Sequence, residues 1–395
     1  MSSEALSPWP SFSEEEASAI QKVLLSNKVN YWTGQEGREF EREFATFSDS
    51  KYAIAVANGT LALDLALVGL CIGSRNGGQD ADEVIVTSRT FLATASSIVT
   101  SGAKPVFVDI DKNSQNISAD TIRPHITAKT KAIICVHLAG YPCEMDEILS
   151  IAREHKLLVI EDCAQAHGAR YKGRSVGSFG DVSAWSFCQD KIMTTGGEGG
   201  MVTTNSKSLW KKMWGYKDHG KSWDTVYKKE HPPGFRWLHD SFGTNWRLTE
   251  MQSAIGRIQL KKIGQWTQAR QKNARMIDEV CSKFHFIRLV QVPGYIQHAE
   301  YKHYVFIKPE FLQNGWSRDR IINELINNGL PCFQGSCSEV YLEKAFDGTT
   351  FRPEKRLPRA KELGETSLMF LVHPTLSNIE MLKVCNIINK VFNMI

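Results

Sequence analysis

Apolar and polar positions fall into alternating blocks along the first half of the chain. YAIAVAN (52–58) is a short, nearly continuous apolar run, and the GTLALDLALVGL behind it has the length and make-up of a helix. EVIVTS from Glu83 repeats the strand pattern, and FLATASSIVTSG reads as a helix closed by Gly102. PVFVDI from Pro105, TKAIICVH ending at His137 and LLVIED from Leu157 are further strands, with an amphipathic helix, CEMDEILSIAREH, before the last. Strands regularly followed by helices predict βαβ units and a mainly parallel sheet. Runs this apolar predict strands covered on both faces.

The pattern then changes. DVSAWSF and GMVTTN read as short strands around the Gly-rich turn TTGGEGG. Residues 216–245, rich in Gly, Pro, Trp and charge, predict a long loop, and long loops in compact domains are often functional. From about Leu260 long helical patterns dominate, with a few strands such as HYVFIKP. We therefore expect an N-terminal arm (1–20), a large α/β domain (21–260) and a smaller α+β domain (261–395).

Composition narrows the classes. The chain has 395 residues, 42% hydrophobic and 23% charged, as in soluble globular proteins. A net charge of +4 makes no case for nucleic-acid binding. No run approaches the ~18 apolar residues of a membrane span, and the polar, acidic N-terminus lacks a signal-peptide core. The nine cysteines are scattered and form no CxxC, so reduced thiols in the cytoplasm are the simplest reading. No HExxH or comparable spacing suggests a metal, and neither a P-loop nor G-x-G-x-x-G is present.

Ligands of open α/β sheets bind beyond the carboxyl ends of the strands. After the first strand, Asn58-Gly59-Thr60 opens a helix, where glycine allows close approach and the helix end offers N–H groups to a phosphate. A plain strand-to-helix turn would look the same. After the second strand, Phe91 could stack on a planar cofactor or be a core residue. After LLVI, Glu161-Asp162 places a carboxylate where burial would require a cationic partner, or simply a helix N-cap. Lys191 follows VSAWSF and precedes the glycines. Such a lysine could form a Schiff base with an aldehyde, or be a solvated surface lysine. Ser186, five residues earlier, could donate to a phosphate.

Together these pieces resemble one family. The run Ile160–Asn205 (IEDCAQAHGARYKGRSVGSFGDVSAWSFCQDKIMTTGGEGGMVTTN) looks like the central signature of the DegT/DnrJ/EryC1/StrS sugar aminotransferases. ANGTLALDLAL, SRTFLATASSIVTSGAKPVFVDID, VHLAGYPCEMDEI, NWRLTEMQSAIGRIQL and LVHPTLS resemble family segments in the family's order. The resemblance implies a fold-type-I pyridoxal 5′-phosphate (PLP) transferase, with a large domain around a seven-stranded-type sheet. It places the Schiff base on Lys191, Asp162 on the pyridinium nitrogen and Gln165 on the phenolic oxygen. Phe91 would stack on the ring, with Gly59, Thr60 and Ser186 on the phosphate. Asn245 would reach the phosphate from the other subunit of a homodimer. Trp32, Thr33, Arg247 and His373 lie where the family contacts its sugar nucleotide.

The implied reaction moves an amino group from L-glutamate, through pyridoxamine phosphate, to a nucleotide-linked keto-sugar. A UDP-, dTDP- or GDP-4-keto-6-deoxyhexose in surface-glycan synthesis, such as O-antigen, is favoured, with 3-keto sugars as the alternative. A pyridinium cation beside Asp162 should lower its carboxyl pKa. The related dehydratases carry histidine in place of the lysine, and a silent sugar-nucleotide-binding homologue would not need Asp162, Gln165, Ser186 and Lys191 together. A desulfurase would need a nucleophilic cysteine loop, which is not evident. Two segments depart from the family: Cys188-Gln189-Asp190, where His-Pro-Thr or a similar run is common, and GLPCFQGSCSEVYLEKAF (329–346), where Tyr-Pro-Leu-His is more common.

Overall fold

A computed structural model of the protein describes residues 6–234 and 236–395. The first five residues of the expected arm and Phe235 of the expected loop lie outside that description. Helices α1 (Glu14–Leu25) and α2 (Glu36–Phe47) precede β1 (Tyr52–Val56), α3 (Gly59–Gly69), β2 (Glu83–Thr87), α4 (Leu92–Thr100) and β3 (Lys104–Val108). Next come α5 (Ala119–Ile122), β4 (Thr130–Val136), α6 (Met145–His155) and β5 (Leu158–Asp162). A small hairpin, β6 (Arg170–Tyr171) and β7 (Arg174–Ser175), leads to β8 (Val182–Ser186) and β9 (Gly200–Thr204). The run expected as loop, 216–245, follows α7 (Lys207–Tyr216) and contains one short helix, α8 (Trp223–Tyr227), capped by the Ser222 hydroxyl.

The central sheet has seven strands in the order β1-β9-β8-β5-β4-β2-β3. All run parallel except β9, which is antiparallel to both β1 and β8. The two-residue period of a strand explains how the sheet is covered. Ile54 and Val56 face a core shared with α3, α4 and α7, while Ala53 and Ala55 face Phe40 and Phe44 of α2 on the other side. Ile133, Cys135 and Val159 pack on that second side against Met145, Ile148 and Ile151 of α6. This double coverage is why the strands lack polar alternation.

Helix α9 (Glu250–Cys281) starts at a capping box, Thr249 with Gln252, and the boundary expected at residue 260 falls inside it. Its first half packs on the central sheet through Ile263, and its second half, with Ala274 and Ile277, supports another core. That core lies under the antiparallel sheet of β10 (Ile287–Leu289), β12 (His303–Ile307), β14 (Ser367–Phe370) and β13 (Cys332–Phe333), with β11 (Ile296–Gln297) joining the small hairpin instead. It is covered by α10 (Arg318–Asn327) and α12 (Asn378–Phe392), while α11 (Pro358–Thr366) packs in a smaller cluster with Phe306. The arm lies on this part of the chain: Ser7 N–H donates to Glu380 at 2.6 Å, and the Thr375 hydroxyl to Pro8 O at 2.9 Å. No helix among the described residues is long and apolar enough to cross a membrane.

Candidate active site

The parallel register of β4, β5 and β8 sets Val136, Asp162 and Ala184 side by side, so the strand ends open onto one edge. Asp162 is 5% exposed there. Its Oδ2 accepts from the Thr94 hydroxyl at 2.8 Å, Oδ1 accepts from Ala164 N–H at 3.1 Å, and Thr94 in turn meets Thr90 at 2.9 Å. Burial pushes the Asp162 carboxyl above the usual carboxylate range, outweighing those hydrogen bonds and the charge of Lys191. The direction expected from the sequence was downward. That expectation counted a cation on the carboxylate, whereas the chain's own groups leave desolvation dominant.

Lys191 sits on the connection from β8 to β9, which must turn back because β9 is antiparallel. Its carbonyl accepts from Trp9 Nε1 at 2.9 Å, and its Nζ lies 5.3 Å from the ring centroid of Tyr301. The Tyr301 hydroxyl donates to Asp190, which gives one of the unusual residues before the lysine a definite partner.

Gly59 opens α3, whose Asn58 cap accepts from Leu61 N–H at 2.9 Å, leaving the N–H groups of Gly59 and Thr60 at the helix end. A Cβ on Gly59 would stand 2.5 Å from the Ser186 Cβ, so only glycine lets Ser186 come this close to the end of α3. Thr60 follows in the same turn. Gln165 Oε1 accepts from Ala139 N–H at 2.8 Å, which leaves its Nε2 as the donor. Phe91, at the N-cap of α4, is 70% exposed, so it is not the core residue that an amphipathic helix would also allow.

The four expected substrate residues do not converge. Trp32 Nε1 and Arg247 Nη1 both bind the buried Asp218, at 2.8 and 2.5 Å, and Lys221 joins them at 2.9 Å while lying over the Trp32 ring. Thr33 lines a surface cavity between α1, α2 and α9. His373 lines a different cavity, with Trp9, Asp190 and Arg270. Asn245 is exposed and pairs through its backbone with Asp218.

His137, Glu161 and Cys163 are the one group among the described residues whose atoms could surround a metal ion. His137 and Glu161 are already engaged. His137 Nδ1 accepts from Cys143 N–H at 3.0 Å, which leaves the proton on Nε2 to donate to Glu161. Glu161 also accepts from the N–H groups of Gly177, Phe179 and Gly180. This is a hydrogen-bonded knot directly behind Asp162, and it fixes the strand ends.

Thr94, Trp9, Tyr301 and Asp218 were not singled out from sequence. Thr94 was visible only as one more small residue in SRTFLATASS, and its partner is 68 positions away. Tyr301 and Trp9 meet Lys191 across more than a hundred residues, which no local pattern encodes.

A buried carboxylate, a lysine on the loop after β8 and a glycine-opened helix, all at the strand ends of this sheet, define a fold-type-I PLP transferase. The chain belongs to the DegT/DnrJ/EryC1/StrS aminotransferase family, which it matches over residues 10–389. Enzymes of this family are PLP-dependent, and this chain is a PLP-dependent aminotransferase. It is similar to an aminotransferase of known structure from Psychrobacter cryohalolentis, at 59% identity and a TM-score of 0.96 over 99% of both chains. It is 35% identical to the GDP-perosamine synthase of Escherichia coli O157:H7 over 97% of both chains. It is 34% identical to the UDP-N-acetyl-3-dehydro-alpha-D-glucosamine 3-aminotransferase of Acidithiobacillus ferrooxidans, over 95% of this chain and 94% of that one.

Proposed function

We propose that the protein transfers an amino group from L-glutamate to a nucleotide-linked keto-sugar, and that the acceptor is a 4-keto-6-deoxyhexose on GDP, UDP or dTDP. The observation that carries the reading is that one sheet edge holds both a lysine and a buried carboxylate whose own surroundings leave its charge undercompensated. The similarity to a GDP-perosamine synthase over nearly the full chain supports a sugar nucleotide as acceptor. The similarity to a 3-aminotransferase of a UDP-sugar supports a second reading, amination at C3. We further propose that the enzyme is a cytoplasmic homodimer serving surface-glycan synthesis.

The residues present fit PLP. Asp162 would face the ring nitrogen, and the undercompensated buried carboxylate matches a cation there. Gln165 Nε2 would donate to the phenolic oxygen, and the exposed ring of Phe91 would cover one face. Gly59, Thr60 and Ser186 would hold the phosphate at the start of α3, joined by Asn245 of the partner subunit. When bound, PLP supplies an electron sink for negative charge developing at the donor's α-carbon. The chain does the rest. Lys191 Nζ takes the proton from that α-carbon, and in the second half of the cycle returns a proton to the sugar carbon that gains the amine. Trp9 holds the Lys191 carbonyl in place, and the Tyr301 ring flanks the amine. Arg247 and Trp32, held by Asp218, would contact the sugar nucleotide, with Thr33 and His373 contributing from their separate cavities.

A panel of nucleotide-linked keto-sugars with L-glutamate, read by mass, tests the reading. The expected product is heavier by the exchange of a keto oxygen for an amine, is made from a 4-keto-6-deoxy sugar, and is absent with Lys191→Ala. A visible spectrum unmoved by L-glutamate would contradict the donor, and amination of 3-keto sugars alone would move the acceptor to C3.

A further inference from the structure

The arm and the C-terminal part of the chain enclose a cavity of about 450 Å³ beside Lys191. Asp190 and Tyr301, the neighbours of that lysine, form one wall, and Trp9, which binds the lysine carbonyl, forms another. Arg270 of α9 lines it and is 1% exposed. Its Nη1 donates to Tyr301 O at 3.2 Å and the guanidinium lies over the Trp9 ring, 5.0 Å from its centroid, but its Nε and Nη2 have no hydrogen-bond partner among the described residues. A buried guanidinium with two unbonded donors is costly, because those two N–H groups have lost water without gaining an acceptor. Lys302 stands on the same cavity. Burial lowers Arg270 to about 9 and Lys302 to about 8, so neither is fully neutralised by the acids around it. Asp190 is already bound by Tyr301, and Glu300 by His303. His373, lowered to about 4 by burial, is neutral on this wall. The rest of the lining is largely apolar, with Trp9, Pro331, Leu371 and Val372.

We infer that this cavity is the carboxylate seat of the amino donor, with Arg270 and Lys302 gripping a carboxylate of a short dicarboxylic amino acid while the arm's Trp9 covers its methylenes. The inference rests on the reading of the chain as a glutamate-dependent aminotransferase, and it adds the residues that select the donor. The planar guanidinium suits a carboxylate in two-point contact. The apolar wall suits the aliphatic carbons between the donor's two charged ends.

The test uses glutarate, a five-carbon dicarboxylate with no amine, titrated calorimetrically into the holoenzyme beside inorganic phosphate. Glutarate is expected to bind, to compete with L-glutamate in the glutamate-driven spectral change, and to outcompete phosphate. Lys302→Gln and Arg270→Lys are each expected to weaken glutarate roughly tenfold. They should raise the glutamate concentration for half-maximal spectral change by a similar factor, while leaving the KM for the keto-sugar within about twofold of native. If Arg270→Lys does not fold, Lys302→Gln, at a half-buried position, carries the test. Native enzyme that ignores glutarate, folded variants that bind it unchanged, or a site that prefers phosphate would each overturn the inference. A spectrum unmoved by glutamate, with glutarate still bound and lost in Lys302→Gln, would sink the donor reading alone and leave a carboxylate site.

Discussion

Asp162 would be an expensive residue in any other setting. It is buried, and its two oxygens are aimed by one hydroxyl and one backbone N–H. Thr94 is therefore a positioning residue: it orients the carboxylate without reaching the reacting atoms. Thr94→Val keeps the shape and removes the hydrogen bond. It should weaken PLP retention by about tenfold, the scale of a lost hydrogen bond to a charged group, with little change in fold. Equilibrium dialysis of the cofactor measures this, and retention equal to native would show that Thr94 does not set the carboxylate. A second residue carries a pH signature. Burial lowers the His303 pKa, but its bonds to Asp278 at 3.0 Å and Glu300 at 3.2 Å outweigh burial and lift it to about 10 from 6.5. A raised folded-state value means the stabilisation is complete below about 6.5 and fades as pH rises through about 10. Denaturant unfolding of native protein and His303→Gln should thus differ most near pH 6, by a few kcal/mol (order of magnitude), and converge by pH ~10. A gap that widens with pH would contradict the assignment. The positions of Asp162 and Ser186 at the ends of β5 and β8, and of Gly59 and Lys191 three and five residues beyond β1 and β8, were legible in the sequence, because open sheets bind ligands past their strand ends. Thr94 and Tyr301 were not, because their roles come only from long-range packing.

At the scale of elements, the apolar runs located six of the seven central strands and their order of helices because doubly covered strands need no polar face. GMVTTN was also readable as a strand, but its reversal was not, since pairing direction leaves no mark in hydrophobic pattern. Yet that reversal makes the β8–β9 connection turn back and carry Lys191 to the sheet edge. The two-residue strands β6, β7, β11 and β13 are too short to show a period. Helix α9 begins at a polar capping box about ten residues before the pattern change read near Leu260. The junction of β1 and α3 makes a prediction of its own. In Gly59→Ala the new methyl would press on Ser186, with its Cβ 2.5 Å and its backbone Cα 3.1 Å away, and neither can retreat far. The variant should lose about 1–3 kcal/mol of stability by overpacking and bind PLP less tightly. Thermal unfolding with and without added PLP checks both, and an unchanged cofactor affinity would remove α3 from the phosphate site.

At the scale of the whole molecule, the residues proposed to contact the sugar nucleotide lie far apart along the chain: Trp32 and Thr33 between α1 and α2, Arg247 just before α9, and His373 after β14. Asn245 is exposed at the end of the 216–245 loop, and Phe242 and Trp237 nearby are 99% and 82% exposed. Exposed aromatics of this size suit contact with a second copy, which two-fold symmetry would make reciprocal. Asn245→Ala should then lower PLP retention several-fold in an intact dimer, and mixing it with Lys191→Ala subunits should restore part of the activity, because the lysine and the asparagine would come from different chains. Full cofactor retention in a correctly assembled variant would place Asn245 outside the site. The measurement that bears most directly on the central claim is chemical: reduce the holoenzyme with borohydride, digest it and map the coenzyme by mass. We expect a single adduct on the peptide containing Lys191; coenzyme fixed to another lysine, or to none, would contradict the account.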